Sequence, residues 1–171
     1  MRPVALDMLL VPNAVSRREP RAMIDRTTLL FALPGFRVLN VTAEPDGGRF
    51  VLVESLAKEG GCPSCGVMSS RIKDRPTCRL KDLPHGVVPL RLWVCKRRFV
   101  CTEKLCARRS FTEVSGQVPA RSRLTTRLRR KVSAAVTTTN RAISEVAGEY
   151  GLAWWTVHRI LVAKAVQVLG Q

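Results

Sequence analysis

Four cysteines in two close pairs carry the clearest chemistry in this 171-residue chain. Cys62-Pro-Ser-Cys65 is followed at once by Gly66, and Cys101 and Cys106 bracket a Thr-Glu-Lys-Leu turn. A CxxC turn sets two sulfurs on one side of an ion, where backbone NH groups stabilise the thiolates. Glycine directly after it lets the chain turn back sharply. The second pair supplies two more ligands, and four convergent thiolates are what a tetrahedral zinc site requires. Cys62, Cys65, Cys101 and Cys106 are therefore predicted to hold one Zn2+. Arg97, Arg98, Arg108 and Arg109 lie next to the second pair and would offset the negative charge of the four thiolates. An iron–sulfur cluster, or a set of reduced and unliganded thiols, would carry the same pattern. Cys78 and Cys95 belong to no close pair and read as ordinary thiols, Cys95 buried on a strand. His85, in Asp-Leu-Pro-His-Gly, reads as a turn residue.

A second constellation occupies the C-terminal third. Ile143, Val146, Ala147 and Tyr150 share one face of a helix, with Asn140 as the expected N-cap and Gly151 as the left-handed residue ending it. Leu152 is expected in the core of the turn. A second helix then presents Trp154, Val157, Ile160 and Leu161 on one face. Small Ala147, a glycine turn and two paired faces are what a helix-turn-helix needs for its helices to approach closely. Trp155, Thr156, His158 and Arg159 would then project from the early part of a recognition helix. Thr156 and Arg159 suit base edges, Trp155 a thymine methyl or sugar, and His158 a phosphate. An ordinary helical hairpin with a solvated polar face is the plain alternative. Ala153 stands where a capping Ser or Thr would be expected.

The charge distribution supports a polyanionic partner. Lys and Arg number 29 against 13 Asp and Glu, a formal net charge of +16. Thirteen basic and two acidic residues fall between 91 and 131. Neutralising phosphates with such a block releases condensed counterions, which drives binding to nucleic acid. Within it, Arg121, Arg123, Arg127, Arg129, Arg130 and Lys131 are expected to meet DNA phosphates, contacts that set affinity and register and carry no base preference. A membrane is the poorer partner: no apolar run approaches the ~18 residues of a spanning helix. The N-terminal stretch imitates a signal peptide only loosely, since Asp7 and Pro12 interrupt it. A cytoplasmic protein is expected, and in that compartment six cysteines point to metal before disulfides.

These groups need elements to hold them. Residues 1–22 show no period and carry Pro3, Pro12 and Pro20, so they read as a loose tail, with Met23 a second candidate start. Residues 27–33 suit a short helical turn ended by Pro34-Gly35. Two β-rich runs flank Asp46-Gly47, a strong hairpin signal, with Phe50 and Leu52 on one face and Val51 and Val53 on the other. Residues 88–100 read as extended, one bent strand or a tight pair, and the strands between the cysteine pairs would form the sheet of a zinc ribbon. From Leu124 the period turns helical: Leu124, Leu128, Val132 and Ala135 make an apolar stripe opposite a basic face. The expected architecture is α+β, a small β-rich zinc-ribbon domain over 23–116 followed by an all-α helix-turn-helix domain over 122–171. The boundary would lie between Gly116 and Ser122.

Read in order, CPSCG, RLKDLPHG, RRFVCTEKLCARRSFTE, RSRLTTRL and VAGEYGLAWWTVHR resemble the N-terminal half of the ISL3 family of bacterial insertion-sequence transposases. The opening LLFALPGFRVLNV is similar too, so the resemblance spans roughly residues 25–165. It implies a zinc finger on Cys62, Cys65, Cys101 and Cys106, a helix-turn-helix from Glu145 to Arg159, and binding to the terminal inverted repeats of a transposon. His85 departs from the aromatic residue the family pattern leads one to expect. The family's RNase-H-like catalytic part, with its metal-binding carboxylates, is not matched, so this chain is expected not to catalyse strand transfer by itself. Its expected partners are double-stranded DNA at transposon ends and, among proteins, a second copy or a separate catalytic polypeptide. A stand-alone transcriptional regulator and a zinc-ribbon adaptor for protein or RNA are the alternative functions.

Overall fold

The structure, a computed structural model, describes residues 25–170. The tail expected over 1–22 and the candidate start at Met23 lie outside the described residues. The architecture is α+β: a β-rich region followed by three helices. No helix among the described residues is long and apolar enough to cross a membrane.

A short helix α1, Arg26–Phe31, opens the fold. Asp25 caps it by accepting from the Thr28 amide at 2.8 Å. It ends earlier than its prolyl stop, because Ala32 already takes a left-handed conformation. Strands β1, Phe36–Ala43, and β2, Arg49–Ser55, form the hairpin around Asp46-Gly47. Val51, Val53 and Ser55 face inward, while Phe50 and Leu52 lie half-buried on the outer face.

The ribbon strands are distributed differently from the expectation. The arms of the first cysteine turn form β3, Gly60–Gly61, and β4, Met68–Ser69. Strand β5, Ile72–Asp74, is followed by β6, Thr77–Lys81. The extended run 88–100 is neither one strand nor a hairpin. It divides into β7, Leu90–Cys95, and β8, Arg98–Val100, which belong to different sheets. Strands β6 and β7 join the N-terminal hairpin in a four-stranded sheet ordered β1-β2-β7-β6, with β2 and β7 parallel. Strand β9, Ser110–Thr112, completes a three-stranded sheet ordered β5-β8-β9.

Burial explains this division. Leu90, Leu92 and Val94 alternate inward on β7 and meet Val51 and Val53 of β2, Leu80 of β6, and Leu33 and Phe36. A strand with one apolar face is stable only when that face is covered. The next buried apolar residue, Phe99 on β8, instead packs on Phe111 at a centroid distance of 5.9 Å, beside the cysteine cluster. Lys96 and Arg97 make the joint. The buried Lys96 ammonium donates to the Val118 carbonyl at 3.0 Å. The buried Glu113 carboxylate accepts from the Arg97 amide at 2.7 Å and from the Ser55 hydroxyl at 2.5 Å, tying the two sheets.

Helices α2, Thr126–Thr137, α3, Ile143–Glu149, and α4, Trp154–Leu169, pack around Leu124, Leu128, Val132, Ala135, Val146, Ala147, Val157 and Ile160. Leu124 belongs to the stripe but precedes the helix, whose N-cap is the fully buried Thr125. The segment 116–122 does not hang free. Val118 is buried in the core of the four-stranded sheet, and Gln117 accepts from the Thr126 amide. Lys81 on β6 exchanges backbone hydrogen bonds with Arg123 and Thr125 at 2.8 and 3.1 Å, so the edge of the sheet runs directly into the start of α2.

Candidate zinc centre and nucleic-acid interface

The two cysteine turns meet at one point. The sulfurs of Cys62, Cys65, Cys101 and Cys106 all lie within 4.8 Å of one another. Cys62 and Cys106 are 3.9 Å apart, and Cys65 and Cys101 are 3.6 Å apart. A tetrahedron with metal–sulfur bonds of about 2.3 Å has edges of about 3.8 Å, so the quartet fits Zn2+. Each turn is held by its own backbone. The Gly66 amide donates to the Cys62 carbonyl at 2.8 Å, with Gly66 at φ +75°, a conformation glycine takes without a Cβ clash. The Cys106 amide donates to Glu103, and the Cys101 amide to Arg109.

The quartet divides its protons unevenly. Burial opposes ionisation of Cys62, but the Ser64 and Cys65 amides and the neighbouring thiols outweigh it and hold Cys62 down at about 6. For Cys65 the Val67 amide favours the thiolate, yet burial and the other three sulfurs together push it up to about 12. For Cys101 the Glu103 amide and the Cys65 sulfur favour the thiolate, but burial and the sulfurs of Cys62 and Cys106 outweigh them and raise it. Of the arginines expected to offset the thiolates, Arg108 is tied to the site, donating to Ser64 in the first turn at 2.9 Å. Arg97 and Arg98 are engaged elsewhere, by the Ala57 carbonyl and by Asp74.

Neither remaining cysteine approaches the quartet. Cys78, half-buried, packs against the sheet core, and burial pushes its thiol up. Cys95 lies on β7, but on the outer face, with Thr77 3.6 Å away. The inward cysteine is therefore Cys78 and not Cys95, because β7 buries its even-numbered residues. His85 flanks the two-residue turn Gly86-Val87, exchanging backbone hydrogen bonds with Val88 across it.

The helix-turn-helix is built on a glycine turn. Gly151 adopts φ +57°. The Leu152 amide donates to the Ala147 carbonyl at 2.8 Å, and the Gly151 amide to Gly148 at 3.2 Å. This is the Schellman arrangement that satisfies the last carbonyls of α3. Leu152 folds back onto the helical core. Asn140 is not the N-cap of α3: it takes φ +51° in the preceding turn, and Ala142 occupies the cap without a side-chain hydrogen bond. The Arg141 guanidinium instead spans Glu145 and Glu149. Ala153 likewise caps α4 with no side-chain bond.

On α4, Val157 and Ile160 are buried and Leu161 is half-buried. Trp154 departs from the expected core face. It is 42% exposed and stacks on the His158 ring at 5.0 Å and 12°. Trp155, 65% exposed, meets Trp154 edge-on at 4.9 Å. Arg159 is exposed, its Nε 3.4 Å from the Trp155 carbonyl, while Thr156 and His158 are half-buried on the two flanks.

The basic residues divide into two groups. Arg121, Arg123, Arg130 and Lys131 are exposed. Arg129 is half-buried and reaches Ser122 at 3.2 Å. Arg127 corrects the sequence reading, for it has no free guanidinium to offer a phosphate. Its Nε donates to Asp82 Oδ1 at 2.8 Å, its Nη2 pairs with Asp82 Oδ2, and its Nη1 donates to the Phe31 carbonyl at 2.7 Å. It also lies 4.6 Å over the Phe31 ring. The Asp82 carboxylate is fully buried and accepts the Thr125 hydroxyl as well. A buried carboxylate requires such a partner. No periodicity pointed to this pair, which is 45 residues apart in the chain.

Comparison with known families agrees with this geometry. Residues 58–106 match the family model described as the zinc-finger of transposase IS204/IS1001/IS1096/IS1165. Residues 112–163 match the helix-turn-helix domain of transposase family ISL3. No curated protein and no solved structure matched the chain. A four-cysteine zinc centre, a glycine-turned helix pair and two adjacent family matches together identify this chain as bearing the zinc-ribbon and helix-turn-helix region of the ISL3 transposase family.

Proposed function

We propose that this chain binds duplex DNA sequence-specifically at the terminal inverted repeats of an insertion element, and does not itself cut or join strands. The observation that carries the reading is the face of α4. Trp155 and Arg159 are exposed on its first two turns, which bury Val157 and Ile160 on another side, in a chain of net charge +16. A helix so mounted can enter a major groove, where arginine reads guanine through two hydrogen bonds. Arg121, Arg123, Arg129, Arg130 and Lys131 supply phosphate contacts, and Arg127 holds the module to the sheet. Trp155, Thr156, His158 and Arg159 remain the base-reading set, with Trp155 and Arg159 foremost because they are exposed. The Zn2+ centre braces the ribbon, and protein partners are a second copy or a catalytic polypeptide. Among the described residues the cysteine quartet is the group of three or more metal-ligating side chains that converges.

Selection from a random duplex library with the zinc-loaded chain tests this. The expected result is one enriched motif, present as an inverted pair at the ends of the element that carries the gene. Arg159→Ala should relax one position of that motif, with a loss of about 1–3 kcal/mol of discrimination. Equal weakening of selected and random duplexes would overturn the assignment of α4 as the reading helix.

A further inference from the structure

Helices α2 and α4 flank an open groove of about 480 Å3. Arg129 and Arg130 on α2 and Lys164 on α4 line it, together with Ser133 and Gln167. No carboxylate lines it among the described residues. Two of the residues that line it each carry a buried polar atom without a hydrogen-bond partner: Ser133 Oγ and Arg129 Nε. Ser133 is 5% exposed, and a hydroxyl buried this far is normally satisfied. Each unmet group carries a desolvation cost that an incoming acceptor would relieve. Arg129 is already oriented, its Nη2 held by Ser122, and Lys164 Nζ is held 3.2 Å from the Thr137 hydroxyl. Unpaired donors, three cations and no anion together form a seat for a tetrahedral oxyanion.

The position indicates which anion. Ala163, which lines the groove, follows Arg159 by four residues, so the groove opens about one turn farther along α4 from the exposed arginine. A helix inserted in a major groove has strand backbones along its flanks. We propose that the α2–α4 groove seats a single backbone phosphate of the bound duplex, gripped by Arg129, Arg130, Lys164 and the Ser133 hydroxyl. This rests on the DNA-binding reading above and adds a built phosphate site to it. Such a site fixes the depth and register of α4.

Zinc-loaded full chain and its Ser133→Ala and Lys164→Gln variants test the seat by titration with duplex DNA at several salt concentrations. Lys164→Gln should flatten the slope of log affinity against log salt by about 0.9, the effect of one phosphate contact. Ser133→Ala should weaken selected and random duplexes alike, by roughly tenfold, because a hydrogen bond to a charged group is lost. Its melting temperature should stay unchanged or rise, since the hydroxyl has no partner in the free protein, and this separates the seat from a structural role. Wild-type affinity and slope in both variants would overturn the seat while leaving DNA binding intact. Failure of the wild-type chain to bind duplex would overturn the underlying reading and the seat with it. Inorganic phosphate, at constant ionic strength, should compete with duplex only weakly. Tight phosphate binding that duplex does not displace would assign the groove to a free anion and refute the proposal.

Discussion

Arg127→Ala separates two roles for one side chain. If Arg127 contacted phosphate, its loss would weaken DNA binding and leave the fold untouched. The structure points the other way. Removing the guanidinium leaves the fully buried Asp82 carboxylate with the Thr125 hydroxyl as its remaining partner, and uncaps the Phe31 carbonyl. Losing one partner of a buried pair costs about 3–5 kcal/mol. Arg127 keeps 21% side-chain exposure, which places the loss near the lower end, about 3 kcal/mol. For a chain of this size that corresponds to a fall of roughly 6–12 °C in melting temperature. The assay is urea and thermal unfolding of the zinc-loaded chain, run beside DNA titration at conditions where the variant is folded. A double-mutant cycle with Asp82→Ala gives the pair's own energy, and the double variant should be less destabilised than the sum of the single variants. An Arg127→Ala protein of wild-type stability whose salt slope falls by about one phosphate would refute the structural role.

Two further outcomes are expected. Zinc affinity should rise with pH. Cys62, at about 6, is ionised at neutrality, whereas Cys65, at about 12, and Cys101, also raised, still carry protons that zinc must displace. At least two protons are then released, so the binding constant rises about 100-fold per pH unit near neutrality and falls on acidification; chelator competition at several pH values measures this, and a flat profile would contradict it. Gly151→Ala should cost about 1 kcal/mol of unfolding free energy. The cost is conformational, because the nearest atom to an added Cβ is Lys81 Nζ at 3.6 Å, and a neutral effect would mean the turn between α3 and α4 is not left-handed.

Much of the zinc site and of the helical module is legible in local sequence. Cysteine spacing defined both turns because a chelating loop is made within a few residues. The stripe Leu124, Leu128, Val132 and Ala135 and the glycine at 151 mark their own burial and turn because helical periodicity and left-handed φ are local properties. The caps were less legible. Asn140 is a good cap by type, yet it is used for its tolerance of positive φ.

Other residues take their role from a distant partner. The parallel pairing of β2 with β7 inserts the ribbon's middle strands into the N-terminal sheet, and no short-range pattern encodes which strand lies beside which. Trp154 looks like a core residue by spacing, but the core beside it is filled by Val157 and Ile160, and the ring stacks outside on His158. Arg127 resembles its basic neighbours in every local respect and differs from them because the buried Asp82, on another element, demands a cation. A side chain's type and period are set within a few residues; its partner is set by the folding of the whole chain.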